Sequence, residues 1–192
     1  MQLESKFGKQ HRGFTLVELL TVMTIIGILA ALVLGTFKFV QEKAARSRAE
    51  SEIKAMEAAL ESYKADNGAY PIGAESDKLK PTSNGTPSSY TAAGQELYKA
   101  LTGDSDNNFS NGITLAAGSK TYFEFKPNQV ASGTVSYPID PWGNAYGYST
   151  VQASTNVNGY NPTFDLWSTA GKTVAPTPGS SNDITIQWIK NW

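Results

Sequence analysis

The chain has 192 residues, a formal net charge of −1, a single histidine and no cysteine. That length suits one domain of ordinary size plus an anchor. The near-neutral charge offers no global basic field for nucleic acid, and the lack of cysteine excludes a disulfide framework and thiolate chemistry.

In residues 1–13, Lys6, Lys9 and Arg12 stand against Glu4 alone. An apolar run follows from Phe14 to Phe37, without proline and with Glu18 as its one ionisable residue. As a helix rising about 1.5 Å per residue, such a run spans the roughly 30 Å hydrocarbon core of a bilayer. The basic flank predicts a cytoplasmic N-terminus and an exported remainder. A secretory signal has a shorter apolar core and a small-residue cleavage site after it; here the run is long, and an uncleaved signal anchor is the plain alternative. A carboxylate in lipid costs several kcal/mol and usually marks a partner or a pathway. Glu18 either serves such a role or snorkels to the headgroups from about one turn's depth.

From Lys38 the pattern turns amphipathic. Val40, Ala44, Ser47, Ser51, Ile53, Met56, Leu60 and Tyr63 make one stripe at steps of mostly three and four. Lys43, Arg46, Arg48, Glu50, Glu52, Lys54, Glu57, Glu61 and Lys64 are assigned to the opposite side. Asp66-Asn67-Gly68 is the expected stop, so one helix is predicted over 14–65, with residues 38–66 as its amphipathic half. Gly35 is read either as a soft point, about 1 kcal/mol weaker than Ala, or as a close-packing residue with Gly27, Ala30 and Ala31.

Residues 67–192 read as a loop-rich head with an antiparallel sheet. Residues 73–93, rich in Ser, Thr, Gly, Pro and Lys, are expected as a surface loop. Leu97, Tyr98 and Leu101 mark a short helix over 93–101. A hairpin is predicted from 113–117 and 120–126 around Gly118-Ser119. Asp104-Ser-Asp106-Asn-Asn108 begins like a calcium-binding EF-hand loop, but Phe109 and Leu115 stand where Gly and Glu are needed, so it is read as a solvated turn. Pro141-Trp142-Gly143-Asn144 is a turn feeding a strand with Tyr146 and Tyr148. Trp142 and the tyrosines lock that turn onto the sheet or, alternatively, offer a platform for sugar. Residues 164–168 and 183–188 read as strands flanking a Gly/Pro/Ser/Thr-rich loop. His11 lies in the leader, so no histidine remains downstream for a triad or a zinc site; with no Gly-rich phosphate loop either, no enzyme is expected.

Gly13-Phe14-Thr15-Leu16-Val17-Glu18, behind a short basic leader and ahead of the apolar run, resembles the processing site of type IV prepilins and of type II secretion pseudopilins. The resemblance implies an α+β, pilin-like fold: one long N-terminal helix packed on a small antiparallel sheet. It implies removal of leader 1–13 by prepilin peptidase between Gly13 and Phe14, N-methylation of Phe14, and a role for Glu18, the fifth residue of the cut chain, in assembly. Asp140-Pro-Trp-Gly-Asn-Ala-Tyr146, with Leu60-Glu-Ser-Tyr-Lys64 and Gly94-Gln-Glu-Leu97, is similar to major pseudopilins, and 73–93 would be an insertion relative to them. The implied partners are copies of itself in a helical filament, an inner-membrane assembly platform and minor pseudopilins; the implied location is the bacterial inner membrane with the head in the periplasm. A major type IV pilin for adhesion or motility and a simple membrane-anchored binding domain are the alternatives. In major pseudopilins the C-terminal loop holds calcium through carbonyls and two aspartates. Here Asp183 matches one and Ala170 replaces the other, which leaves Leu166, Ser181, Asn182 and Asp183 as candidate ligands of a weakened site.

Overall fold

A computed structural model describes residues 13–83, 85–131, 133–172 and 184–192. The first element, α1 (Leu16–Asn67), is a 52-residue helix. Residues up to Glu42 and residues from Lys43 onward form two compact units, each with its own character.

In the first unit the described side chains from Phe14 to Glu42 are all exposed. Leu, Ile and Val sit on every side of this segment, so no single face is left for water. A helix apolar all round needs lipid or other helices as its surroundings. It is long and apolar enough to cross a membrane.

In the second unit, α1 buries Ala49, Glu52, Ile53, Met56, Ala59 and Leu60, the i, i+3, i+4, i+7 face of a helix on a core. The predicted stripe is therefore corrected at both ends of its logic. Ala44, Ser47 and Ser51 are exposed, and Glu52, assigned to the charged side, is inside. The helix stops at Asn67, where Gly68 takes a left-handed φ of 81°.

The sheet contains β1 (Gly147–Ser149), β2 (Asp165–Ser168) and β3 (Ile189–Lys190) in the antiparallel order β1-β2-β3. Tyr148 pairs with Leu166, and Ser168 pairs with Ile189. The helix α2 (Thr91–Thr102) lays Leu97, Tyr98 and Leu101 into the core. A short helix, α3 (Val151–Thr155), follows β1. One core gathers Met56, Leu60, Tyr98, Tyr146, Tyr148 and Leu166. A second gathers Leu79, Tyr90, Trp167 and Trp188, with Tyr90 edge-on to Trp167 at 5.1 Å and the two indoles stacked at 6.1 Å. A Cβ at Gly147 would lie 2.1 Å from the Trp167 ring, so the β1–β2 contact requires glycine there. Helix and small antiparallel sheet together make the expected α+β pilin fold.

Four expectations fail locally. Segment 73–93 is not a surface loop, since Ser76, Leu79 and Tyr90 are buried. The Glu96 carboxylate accepts from the backbone N–H groups of Glu75 and Ser76 at 3.0 and 2.8 Å, and the Ser149 hydroxyl donates to the Leu79 carbonyl. The 113–126 hairpin does not form. The N–H groups of Tyr122 and Phe123 go to the Leu101 carbonyl at 2.7 and 3.0 Å, and that of Ala116 goes to Gly103 at 3.1 Å. Asp104 is not a solvated turn residue: it is fully buried, accepting from the N–H groups of Asn108 and Thr114, both at 3.1 Å. The last predicted strand is instead a 3₁₀ turn at Ile184–Gln187 followed by the two residues of β3.

The Phe14–Glu18 segment as candidate processing and assembly site

Gly13, Phe14 and Thr15 precede the helix, which begins at Leu16. Thr15 and Glu18 form a capping box. The Thr15 N–H and hydroxyl both donate to Glu18 Oε2, at 2.9 and 2.8 Å, and the Glu18 N–H donates back to Thr15 Oγ1 at 3.2 Å. The Thr-x-x-Glu spacing dictates this, because helix starts leave N–H groups without partners and these two side chains supply them. The hydroxyls of Thr21 and Thr24 donate to the carbonyls of Glu18 and Leu20 at 2.9 and 2.8 Å. Thr21 and Thr24 thus keep their hydroxyls bonded to the helix's own backbone, and Glu18 is the one formal charge in the run.

Of the predicted site residues, Gly13 and Phe14 lie just ahead of the helix and Glu18 lies in its first turn. Cutting between Gly13 and Phe14 would place an α-ammonium one turn from Glu18, near the positive end of the helix dipole, which also favours a carboxylate. Residues 1–12 lie outside the described residues.

The calcium candidates are distant in sequence from this site and belong to the second unit. Leu166 sits in β2, where its carbonyl accepts from the Asn191 N–H at 3.2 Å. Ser181, Asn182 and Asp183 lie outside the described residues. Among the described residues no group of three or more His, Cys, Asp or Glu side chains is arranged to hold a metal ion.

Two carboxylates that hold the head together were not recognised in the sequence. Glu52 accepts from Arg48 Nε at 2.7 Å, Gln129 Nε2 at 3.0 Å and the Tyr146 hydroxyl at 2.7 Å. Asp140 accepts from the N–H groups of Trp142 and Asn144 at 3.0 and 2.9 Å, and from the Ser168 hydroxyl at 2.5 Å. Burial pushes the Asp140 carboxyl above its usual range, opposed by these hydrogen bonds. The Asp-Pro-Trp-Gly turn carries a signal for Asp140, since Asp at a turn's first position commonly accepts the N–H two residues on. Nothing local points to the burial of Glu52: Arg48 is four residues away, but its other partners, Gln129 and Tyr146, are 77 and 94 residues away in sequence.

Residues 8–34 match the prokaryotic N-terminal methylation motif. The chain is 32% identical to the type II secretion system core protein G of Pseudomonas aeruginosa over 187 residues, covering 96% of each chain. It is 42% identical over 90 residues to the protein of that name from Pectobacterium carotovorum, covering 45% of this chain and 58% of the relative. Against the Escherichia coli protein it is 46% identical over 76 residues, covering 38% and 52%. A prepilin-type methylation motif on a capped, apolar helix start, joined to an end-to-end match with the Pseudomonas protein, shows that this chain belongs to the type II secretion system core protein G family, the major pseudopilins.

Proposed function

We propose that the chain is a structural subunit of a type II secretion pseudopilus, polymerising through its N-terminal helix to help move folded proteins across the outer membrane. It enters the bacterial inner membrane with its leader in the cytoplasm. Prepilin peptidase cuts between Gly13 and Phe14, and Phe14 is N-methylated. The assembly platform and minor pseudopilins then draw copies into a periplasmic filament. The observation that carries this reading is the position of Glu18, one turn into an exposed apolar helix, bonded to Thr15 and within a turn of the amine that cutting would create. In lipid a carboxylate and an ammonium are each costly alone. Pairing the carboxylate of one copy with the amine of the next removes both from lipid, provided the geometry also satisfies their hydrogen bonds. Such a pair sets the axial offset between neighbouring helices.

The test is co-expression with a prepilin peptidase and an assembly platform. Mass spectrometry should find a chain starting at methyl-Phe14. Glu18→Ala should be inserted and cut but absent from filaments. A chain still starting at Met1 beside an active peptidase, or wild-type filament yield from Glu18→Ala, would overturn the reading.

A further inference from the structure

Residues 168–172 continue from the end of β2. The Thr169 carbonyl accepts from the Lys172 N–H at 2.9 Å, and the two residues between them, Ala170 and Gly171, have φ of 50° and 75°. A four-residue turn with positive φ at both central positions is of type I′, for which Asn-Gly or Asp-Gly is the favoured pair. Here alanine occupies the first central position. It is 2% exposed and belongs to the main core cluster. A left-handed conformation is unfavourable at a residue with a Cβ, and contacts from outside the turn offset that cost.

The donor chemistry around this turn is poor for calcium. That ion takes six to eight hard oxygens, with carboxylates supplying the charge. Position 170, where the family resemblance puts an aspartate, offers a buried methyl group. The Leu166 carbonyl already accepts from Asn191. Thr169 Oγ1 is buried and has no hydrogen-bond partner among the described residues, but a lone neutral hydroxyl does not replace a carboxylate. Among the described residues, the carboxylate that reaches the turn is Asp140, whose two oxygens accept from Trp142, Asn144 and Ser168.

Those bonds form a clamp. The Ser168 hydroxyl donates to Asp140 Oδ2 and accepts from the Ala170 N–H at 3.0 Å. It therefore ties the Asp-Pro-Trp-Gly turn to the strained residue directly. The Trp142 ring lies against Gly171, where an added Cβ would meet Trp142 Cδ1 at 3.2 Å. One side chain fixes the first half of the type I′ turn and one ring covers the second.

We propose that the Asp140–Ser168 hydrogen bond and the Trp142–Gly171 contact hold residues 168–172 in place of a metal ion, so that the head of this pseudopilin folds without calcium. The proposal concerns the head alone, and it stands or falls independently of filament assembly.

The test uses the full chain in detergent. Thermal unfolding is followed in millimolar calcium and in excess chelator, alongside hydrogen exchange at the amides of Ala170 and Lys172. The expected result is a midpoint that agrees within about 1 °C between the two conditions, because an ion bound at a hundredfold its dissociation constant would raise it by several degrees. The two amides should be equally protected in both. Ser168→Ala should lower the midpoint by roughly 3–8 °C in both conditions alike, as expected when a buried carboxylate loses a partner. Faster exchange at Ala170 should accompany that loss. A saturable calcium-dependent rise in midpoint, calcium-dependent protection of either amide, or an unchanged midpoint in Ser168→Ala would overturn the proposal. Should Ser168→Ala fail to fold, the comparison of wild-type protein with and without calcium still decides.

Discussion

Glu18 and Glu52 lie on one helix and have opposite circumstances. Glu18 is exposed and bonded within its own turn, and its isolation among apolar neighbours is what marks it in the sequence as a candidate site. Glu52 is 8% exposed and bonded to residues far along the chain, and in sequence it looked like one more charge on a polar face. Its role is testable at Tyr146, whose hydroxyl donates to Glu52 Oε2. Tyr146→Phe should destabilise the head by about 1.5–3 kcal/mol, the usual worth of a hydrogen bond to a charged group, read by chemical denaturation. Gly147 is the other decisive residue. Gly147→Ala forces a methyl into the Trp167 ring and should cost about 3 kcal/mol or more by overpacking; an unchanged denaturation midpoint would show that the ring can move aside. At the helix start, Thr15→Ala removes one side of the capping box. It should weaken the first turn by about 1 kcal/mol, seen as faster amide exchange at residues 16–18.

The elements divide by how local their causes are. Helix α2 ends at Gly103 and buries Leu97, Tyr98 and Leu101, close to the 93–101 range that its apolar spacing predicts. The terminus of α1 is equally local, because glycine needs no tertiary partner to end a helix. The 73–93 segment is the contrary case. Its Ser and Thr content suggested exposure, yet Ser76 is buried with its hydroxyl donating to the Gly73 carbonyl, the hydroxyls of Thr150 and Ser154 donate to the Asp77 carboxylate, and the Glu96 carboxylate accepts from the N–H groups of Glu75 and Ser76. Glu96→Ala should therefore loosen residues 74–79 first. Protease cutting or amide exchange there should rise while α2 stays protected; simultaneous loss of both would mean that the segment and helix melt as one unit.

At the level of the whole molecule, the buried carboxylates shape the response to pH. Asp140 and Asp165 both have their carboxyls pushed upward, chiefly by burial away from water. A raised folded-state value means that the stability they lend is fully present below the unfolded value near about 4 and is lost as pH rises through the folded value. Exposed Asp66 has the opposite sign: the Lys120 hydrogen bond and charge hold it below the usual range, and its small contribution is lost only on stronger acidification. The contribution of these two buried groups should thus make the denaturation midpoint of the full chain fall as pH is raised above about 4. Asp140→Asn should flatten that slope; a slope unchanged by it would place the effect elsewhere.

Near-neighbour physics was enough for much of this protein. A run of apolar residues, a lone carboxylate, a threonine three residues before it and a glycine at the far end specify a helix long and apolar enough to cross a membrane, its cap and its stop. Each depends only on residues within a turn or on contact with lipid. The residue pattern of the leader and of Asp140–Tyr146 also carried the family resemblance, because such motifs are read without knowing what they touch. Folding alone settled which face of the amphipathic half is inside, that Glu52 belongs there, that 113–126 bonds to α2 instead of to itself, and that Asp140 reaches Ser168. In every one of these the partner lies tens of residues away. Whether a polar side chain is solvated or buried depends on that partner arriving, which no local pattern encodes.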